Sequence, residues 1–227
     1  MAVLAFTDDL WAGTADLRRA IDELEFLERL GDGTLPLDDF AFYLRQDALY
    51  LTGYAKALAL LAARSPQPEA AAFWAASSHT AAVVETSLHS GILNEIGGAD
   101  VVEEHSSACL GYVSYLIATA ATAPYPVAAA AVLPCFWIYG DVAARLAKSA
   151  ATLLSADPEH PYATWVATYD DEGFQASVLN ARQIVDEAAS SASEAERAAM
   201  TTAFTVATRY ELLFWQSALD RQPWPSF

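Results

Sequence analysis

Basic residues are scarce in this chain. Twelve Lys and Arg stand against 29 Asp and Glu, a formal net charge of −17 over 227 residues. Such a surface repels phosphate backbones and anionic lipid heads, and no local Lys/Arg cluster offsets it, so no nucleic acid and no membrane is expected as a partner. Cysteine is also rare: Cys109 and Cys135 are too few to form a disulfide scaffold. The start, Met-Ala-Val-Leu-Ala-Phe-Thr-Asp-Asp, lacks the basic opening and long apolar run of a secretory signal. The expectation is a cytoplasmic protein with free thiols. Strand signals are nearly absent, as are repeats, low-complexity tracts and linkers. The fold is therefore expected to be all-α, a helical bundle forming a single domain over 1–227, large enough to bury roughly 70 % of its unfolded surface.

Charge itself is missing from 106–140, thirty-five successive positions. Length alone would suggest a membrane span. Against that, Pro124-Tyr125-Pro126 breaks the run, and both halves are rich in Ala, Ser, Thr and Tyr, so two fully buried helices explain it better. These place Tyr112, Tyr115, Cys135 and Tyr139 inside the protein. Helix starts carry Pro near the first turn followed by acids, as in Pro36-Leu37-Asp38-Asp39 and Asp157-Pro158-Glu159, and Ser193-Glu194-Ala195-Glu196 reads as a capping box. Stops fall at Gly31-Asp32-Gly33, Ser65-Pro66-Gln67-Pro68, Gly97-Gly98 and Pro124 to Pro126. Together these predict helices over 8–30, 37–64, 69–96, 104–122, 126–154, 161–169, 172–191 and 194–220.

What is present becomes informative where polar groups sit on apolar faces. Cys135 lies directly after Pro134, with Phe136, Trp137 and Tyr139 within about one turn. A lone Cys on an apolar helix is more often a small hydrophobe, yet a thiol that can be reached and supported as thiolate is a nucleophile. Pro134 removes the helical donor to the carbonyl of Ala130 and should kink the helix just before the thiol. Asp47, Tyr50 and Tyr54 fall at i, i+3 and i+7 on one stripe, and Glu211 stands among Tyr210, Leu212, Leu213, Phe214 and Trp215. Asp47 paired with Arg45, and Glu211 with Arg209 or solvent, would be the purely structural reading. Burial would instead raise the proton affinity of Glu211 and suit it to general-acid work. A thiol, two carboxylates and the tyrosines Tyr50, Tyr112, Tyr139 and Tyr162 together describe a central pocket for a flat, nitrogen-rich ring. Aromatic walls stack on such a ring, a carboxylate accepts from its amines, and a thiolate adds to an electron-poor ring carbon.

Five segments, in order, resemble the TenA/thiaminase II family of the TENA/THI-4 group. They are Leu44-Arg45-Gln46-Asp47-Ala48-Leu49-Tyr50-Leu51; Ser78-His79 with Glu85 and His89; Leu133-Pro134-Cys135-Phe136-Trp137-Ile138-Tyr139; His160-Pro161-Tyr162-Ala163-Thr164-Trp165 with Tyr169; and Tyr210-Glu211-Leu212-Leu213-Phe214-Trp215. The resemblance implies a haem-oxygenase-like helical fold and the cysteine-bearing branch of the family. Within it Cys135 resembles the nucleophile, Glu211 the acid/base and Asp47 the acid that holds the aminopyrimidine and supports the thiol. Tyr112, Tyr139 and Tyr162 resemble pocket hydroxyls, and Tyr50 and Phe214 aromatic walls. The chain departs from the family pattern in lacking a proline shortly before Tyr112. The implied reaction is hydrolysis of 4-amino-5-aminomethyl-2-methylpyrimidine to the hydroxymethylpyrimidine and ammonia, with thiaminase II activity on a thiazolium leaving group, no cofactor and no metal, in a homotetramer. A different class of function remains open from the residues. His79, Glu85 and His89 with Asp47 and Glu211 would make a dimetal oxygen-activating oxidase, and the same helical fold would also serve a small-molecule binding protein without turnover.

Overall fold

The computed structural model describes residues 5–96, 104–156, 162, 165, 171–221 and 224, without the side chains of 84–86, 88, 89, 149–154 and 156. Three short helices, α1 (Phe6–Gly13), α2 (Ala15–Asp22) and α3 (Glu25–Asp32), lead into the long α4 (Leu37–Arg64). Then come α5 (Pro68–His79), a π-helical turn (Thr80–Glu85), α6 (Thr86–Glu95), α7 (Ser107–Thr122) and α8 (Tyr125–Ala156). Two further helices, α9 (Glu172–Ser191) and α10 (Glu194–Asp220), complete the described chain, which contains no strand.

The charge-free segment is indeed interior. From Val127 to Leu133 every residue of α8 is at least nine-tenths buried, with α9 and α10 packed along it. The window Tyr125–Lys148 is long and apolar enough to cross a membrane, but 83 % of it is buried inside the protein, as a core helix is. The helix runs unbroken through Pro134. On its other side α4 packs against α7 and α5, and one hydrophobic core joins all these helices. Gly53 sets the α4–α7 spacing: a Cβ there would stand 2.3 Å from Val113 Cγ1.

Local chemistry fixes the ends. Ser193 accepts from the backbone N–H of Glu196, whose side chain returns to Ser193 N, completing the expected capping box. Gly33 closes α3 in the left-handed region at φ 78°. Gln46 ties the start of α7 to α4, donating to Glu104 O at 2.8 Å and accepting from Ser106 N at 2.8 Å.

Two predicted helices differ. The single helix expected over 8–30 is three, because the backbone leaves the helical region at Thr14 (φ −109°, ψ 15°) and is extended at Leu24, breaking the ladder twice. The short pieces wrap α8, α9 and α10 in a way that one straight rod would not. The helix expected over 69–96 is interrupted by the π-helical turn. Of the helix expected over 161–169 only Tyr162 and Trp165 are described, both helical; Gly97-Gly98 and Asp157-Pro158-Glu159 lie outside the described residues.

A stack of planar groups binds the N-terminal helices to the catalytic candidate helix α8. Trp11 and Trp137 lie 4.1 Å apart at 15°, with the Arg18 guanidinium over Trp11 and that of Arg182 over Trp137. Asp186 on α9 accepts from Thr7 N and Thr7 Oγ1 at 2.8 and 3.0 Å.

Candidate active site

α4 supplies one wall of a cavity of about 160 Å³ through Asp47, Tyr50, Leu51, Tyr54 and Leu58. α8 supplies Cys135, Phe136 and Tyr139, the α5–π segment Phe73, Ala76, Ser77, Thr80 and Ala81, and α9 Phe174 and Ser177. The helical repeat explains the α4 set, since positions 47, 50, 51, 54 and 58 share one stripe. Asp47, Tyr50 and Tyr54 are 1, 2 and 4 % exposed, so the polar stripe read from the sequence is buried. An apolar cavity of about 150 Å³ takes a benzene ring, so this space is the size of one heteroaromatic ring with little to spare.

Asp47 sits in a cage of phenols. Tyr43 Oη donates toward Asp47 Oδ2 (3.5 Å), Tyr139 Oη donates to Oδ1 (3.4 Å), and the two phenols are 3.3 Å apart. Tyr43 stacks on Trp215 at 5.2 Å and 12°, which holds its ring in place. Tyr54 donates to Val132 O at 2.9 Å, in the turn of α8 before Pro134, and lies within hydrogen-bonding reach of Cys135. Burial pushes the phenols of Tyr43, Tyr50, Tyr54, Tyr112 and Tyr139 well above their ordinary value, and Asp47, Cys135 or, for Tyr112, Glu211 adds to the shift. All five therefore remain proton donors at neutral pH.

Glu211, 1 % exposed, accepts a 2.6 Å hydrogen bond from Tyr112 Oη. Burial drives its carboxyl up to about 8, and the bond from Tyr112 pulls only partly against that. The pair stands one layer behind the cavity wall: Tyr112 packs on Tyr50 at 5.0 Å and on Tyr210 at 5.3 Å, and Phe214 packs on Tyr50 at 5.4 Å.

Of the residues singled out in the sequence, Asp47, Tyr50, Cys135 and Tyr139 share the cavity wall, while Glu211, Tyr112 and Phe214 form its backing. Tyr162 is not brought to the wall. It is 1 % exposed and its hydroxyl donates to Leu35 O, fastening its segment to the loop before α4. Sequence reasoning missed Tyr43, although its i, i+4 relation to Asp47 put it on the same face. It also missed the far wall, Phe73 to Thr80 with Phe174 and Ser177, for which no sequence signal existed. The dimetal grouping does not assemble among the described residues. His79 is exposed at the end of α5, Asp47 and Glu211 are engaged by tyrosines, the side chains of Glu85 and His89 lie outside the described residues, and no described group of three His, Cys, Asp or Glu is placed to hold a metal. Cys109 is fully buried, its thiol near Gln46 O at 3.5 Å and pushed up to about 12 by burial and then by Asp47.

The architecture is that of a haem-oxygenase-like helical domain enclosing a cavity lined by a thiol, a carboxylate and aromatic rings. A domain with a heme oxygenase-like fold from Shewanella denitrificans superposes with a TM-score of 0.73 at 14 % identity, over 97 % of this chain and 94 % of that one. A TenA homologue from P. horikoshii OT3 superposes with a TM-score of 0.83 at 26 % identity, over 96 % and 99 %. Residues 18–221 match the TENA/THI-4/PQQC family, and the chain belongs to it. It is 37 % identical over 219 residues to the thiamine biosynthesis multifunctional protein ThiED of Corynebacterium efficiens, covering 96 % of this chain but only 29 % of that larger protein. It is 30 % identical over 206 residues to the aminopyrimidine aminohydrolase of Bacillus subtilis, covering 88 % of this chain and 83 % of that enzyme.

Proposed function

We propose that the chain is a hydrolase of thiamin salvage that converts 4-amino-5-aminomethyl-2-methylpyrimidine and water to 4-amino-5-hydroxymethyl-2-methylpyrimidine and ammonia. The carrying observation is that Cys135 and Asp47 line one ring-sized cavity walled by Tyr50, Tyr54 and Tyr139. In this reading the aminopyrimidine stacks on Tyr50, and its exocyclic amine and ring nitrogen face Asp47, which is held by Tyr43 and Tyr139. The Cys135 sulfur adds to the ring carbon beside the substituted one, and the electron pair displaced into the ring expels the amine from the exocyclic methylene. Glu211, protonated near neutral pH behind the cavity wall, supplies the proton of the departing amine by relay through the hydroxyls of Tyr112 and Tyr50. Water then adds to the methylene, and the sulfur leaves with the restored ring. The barrier is lowered because the nucleophile is intramolecular to a bound ring and the proton source is held in a dry environment.

The names of the B. subtilis, Halalkalibacterium halodurans and Helicobacter pylori relatives, each an aminopyrimidine aminohydrolase at 30 % identity, support this substrate class. A thiazolium in place of ammonia gives the thiaminase II variant of the same chemistry. A homotetrameric assembly and a cytoplasmic location belong to the same reading; light scattering after gel filtration checks the first.

Ammonia release from the aminomethyl substrate, measured beside thiamin cleavage, tests the proposal. Cys135→Ser is expected to abolish both while leaving helical circular dichroism and Tm intact. Turnover at an unchanged rate in that variant sinks the covalent mechanism.

A further inference from the structure

Water stands close behind the Tyr112–Glu211 pair. α7 and α10 leave a groove of about 270 Å³ between them, room for several waters at about 30 Å³ each. Ser107, Gln216, Ser217 and Asp220 line it, and Leu213 is 47 % exposed at its edge, so the groove is wet and open. Tyr112 is packed between Tyr50, which lines the cavity, and Tyr210, which lines this groove. Tyr112 and Glu211 are nevertheless each 1 % exposed. The cover is one half-buried ring: Tyr210 lies parallel to Tyr112, 5.3 Å away at 7°, and is flanked by Tyr115 at 5.6 Å. Gly111 lets that ring lie close on α7, since a Cβ there would stand 3.2 Å from Tyr210 Cε1.

We infer that the Tyr210 ring is a shutter that keeps groove water off the Tyr112–Glu211 pair, which makes Tyr210 a positioning residue for the acid behind the cavity. The inference deepens the reading in which Glu211 is that acid. Glu211 faces mostly phenols: Tyr112 from α7, Tyr43, Tyr50 and Tyr54 from α4 and Tyr139 from α8, each of which feels its charge. Asp47 and Cys135 stand beyond them on the cavity wall. Among the described residues of α1, α2 and α3 no charged group shifts Glu211, and neither do Asp220 in the groove or the exposed Arg209; desolvation dominates, opposed by the bond from Tyr112. With no fixed charge setting the proton affinity, dryness sets it, and the ring that excludes water controls the acid. Opening the groove onto Tyr112 would solvate the carboxylate, so Glu211 would lose its proton at lower pH. A ring that served packing alone would change stability and leave the titration where it is.

Two titrations on the whole protein test this. Infrared difference spectra against Glu211→Gln follow the carboxylic-acid carbonyl of Glu211 with pH in the resting protein, and ammonia release from the aminomethylpyrimidine gives the alkaline limb of kcat/KM. Tyr210→Ala should move both down by about 1–2 pH units. Tyr210→Leu, which fills the site in part and covers the case in which alanine costs the fold, should move both in the same direction by less. Tyr210→Phe keeps the ring and should leave both in place, as should Leu213→Ala, which widens the same groove away from Tyr112. An infrared titration that stays put in the alanine and leucine variants, or that moves as far with phenylalanine as with alanine, overturns the shutter and spares the reaction. An infrared titration that moves while the kcat/KM limb does not supports the shutter and overturns Glu211 as the acid.

Discussion

Replacing Glu211 by Gln should stabilise the protein at neutral pH while removing its acid. The buried carboxyl has its affinity for a proton raised from an ordinary 4.5 to about 8, chiefly by desolvation. A folded-state value above the unfolded one means the folded chain holds the proton more tightly, so the associated stability is fully present below about 4.5 and is lost as pH rises toward 8. Each pH unit in that window costs about 1.4 kcal/mol. At pH 7 the loss relative to pH 4.5 is 2.5 units, or about 3 kcal/mol, and above pH 8 it levels near 5 kcal/mol. The glutamine of Glu211→Gln keeps the shape and an oxygen to accept from Tyr112, but has no proton to lose. Urea unfolding of both proteins from pH 4 to 9 is the assay, since other titrating groups cancel in the difference. The variant should match the wild type within about 1 kcal/mol at pH 4.5 and exceed it by about 3 kcal/mol at pH 7, which for a chain of this size is roughly 10 °C in Tm. A difference that does not change with pH would refute the argument, because it would mean that Glu211 does not change its proton affinity on folding.

Tyr112→Phe removes the hydrogen bond that favours the charged carboxylate, so Glu211 should hold its proton to higher pH; the alkaline limb of kcat/KM should move up by about one unit, and a downward move would contradict the bond's direction. Cys109, fully buried with its thiol pushed up to about 12, should stay unmodified by iodoacetamide under native conditions while Cys135 is alkylated through the cavity, as peptide mass analysis would show. Gly53→Ala would force a methyl into Val113 and should cost about 1–3 kcal/mol in urea unfolding, with Val113→Ala in the same chain recovering most of it.

The fold was legible where periodicity and end signals agreed. α4 begins and ends where Pro36 and Ser65 place it, α10 begins at the capping box of Ser193, and α9 spans the expected 172–191. No residue pattern marks the breaks at Thr14 and Leu24, because they follow the curvature of the surface that the short helices wrap. The cavity's polar wall was legible for a related reason: Asp47, Tyr50 and Tyr54 repeat with the helix, and polar groups on an apolar stripe need partners. Tyr43 escaped because it lies in the run Phe40-Ala41-Phe42-Tyr43, where an aromatic reads as core until a carboxylate one turn away gives its hydroxyl a purpose. Phe73, Thr80, Phe174 and Ser177 had no such neighbour in their own segments. Their role exists only once α5 and α9 come together over α4 and α8, and that is tertiary information.

The π-helical turn at Thr80–Glu85 works like a skipped thread on a screw. By carrying one residue more than an α turn, it retards every later side chain by about 100°. The helix before it and the helix after it therefore keep separate phases, although both pack on α4. Deleting one residue here would restore an uninterrupted rod and turn the whole of α6 by that angle, bringing a different flank of the helix against α4. Two homologous chains differing by that single residue would align well in sequence while packing different α6 side chains on α4, so residue-by-residue comparison across this segment has to be made in two registers.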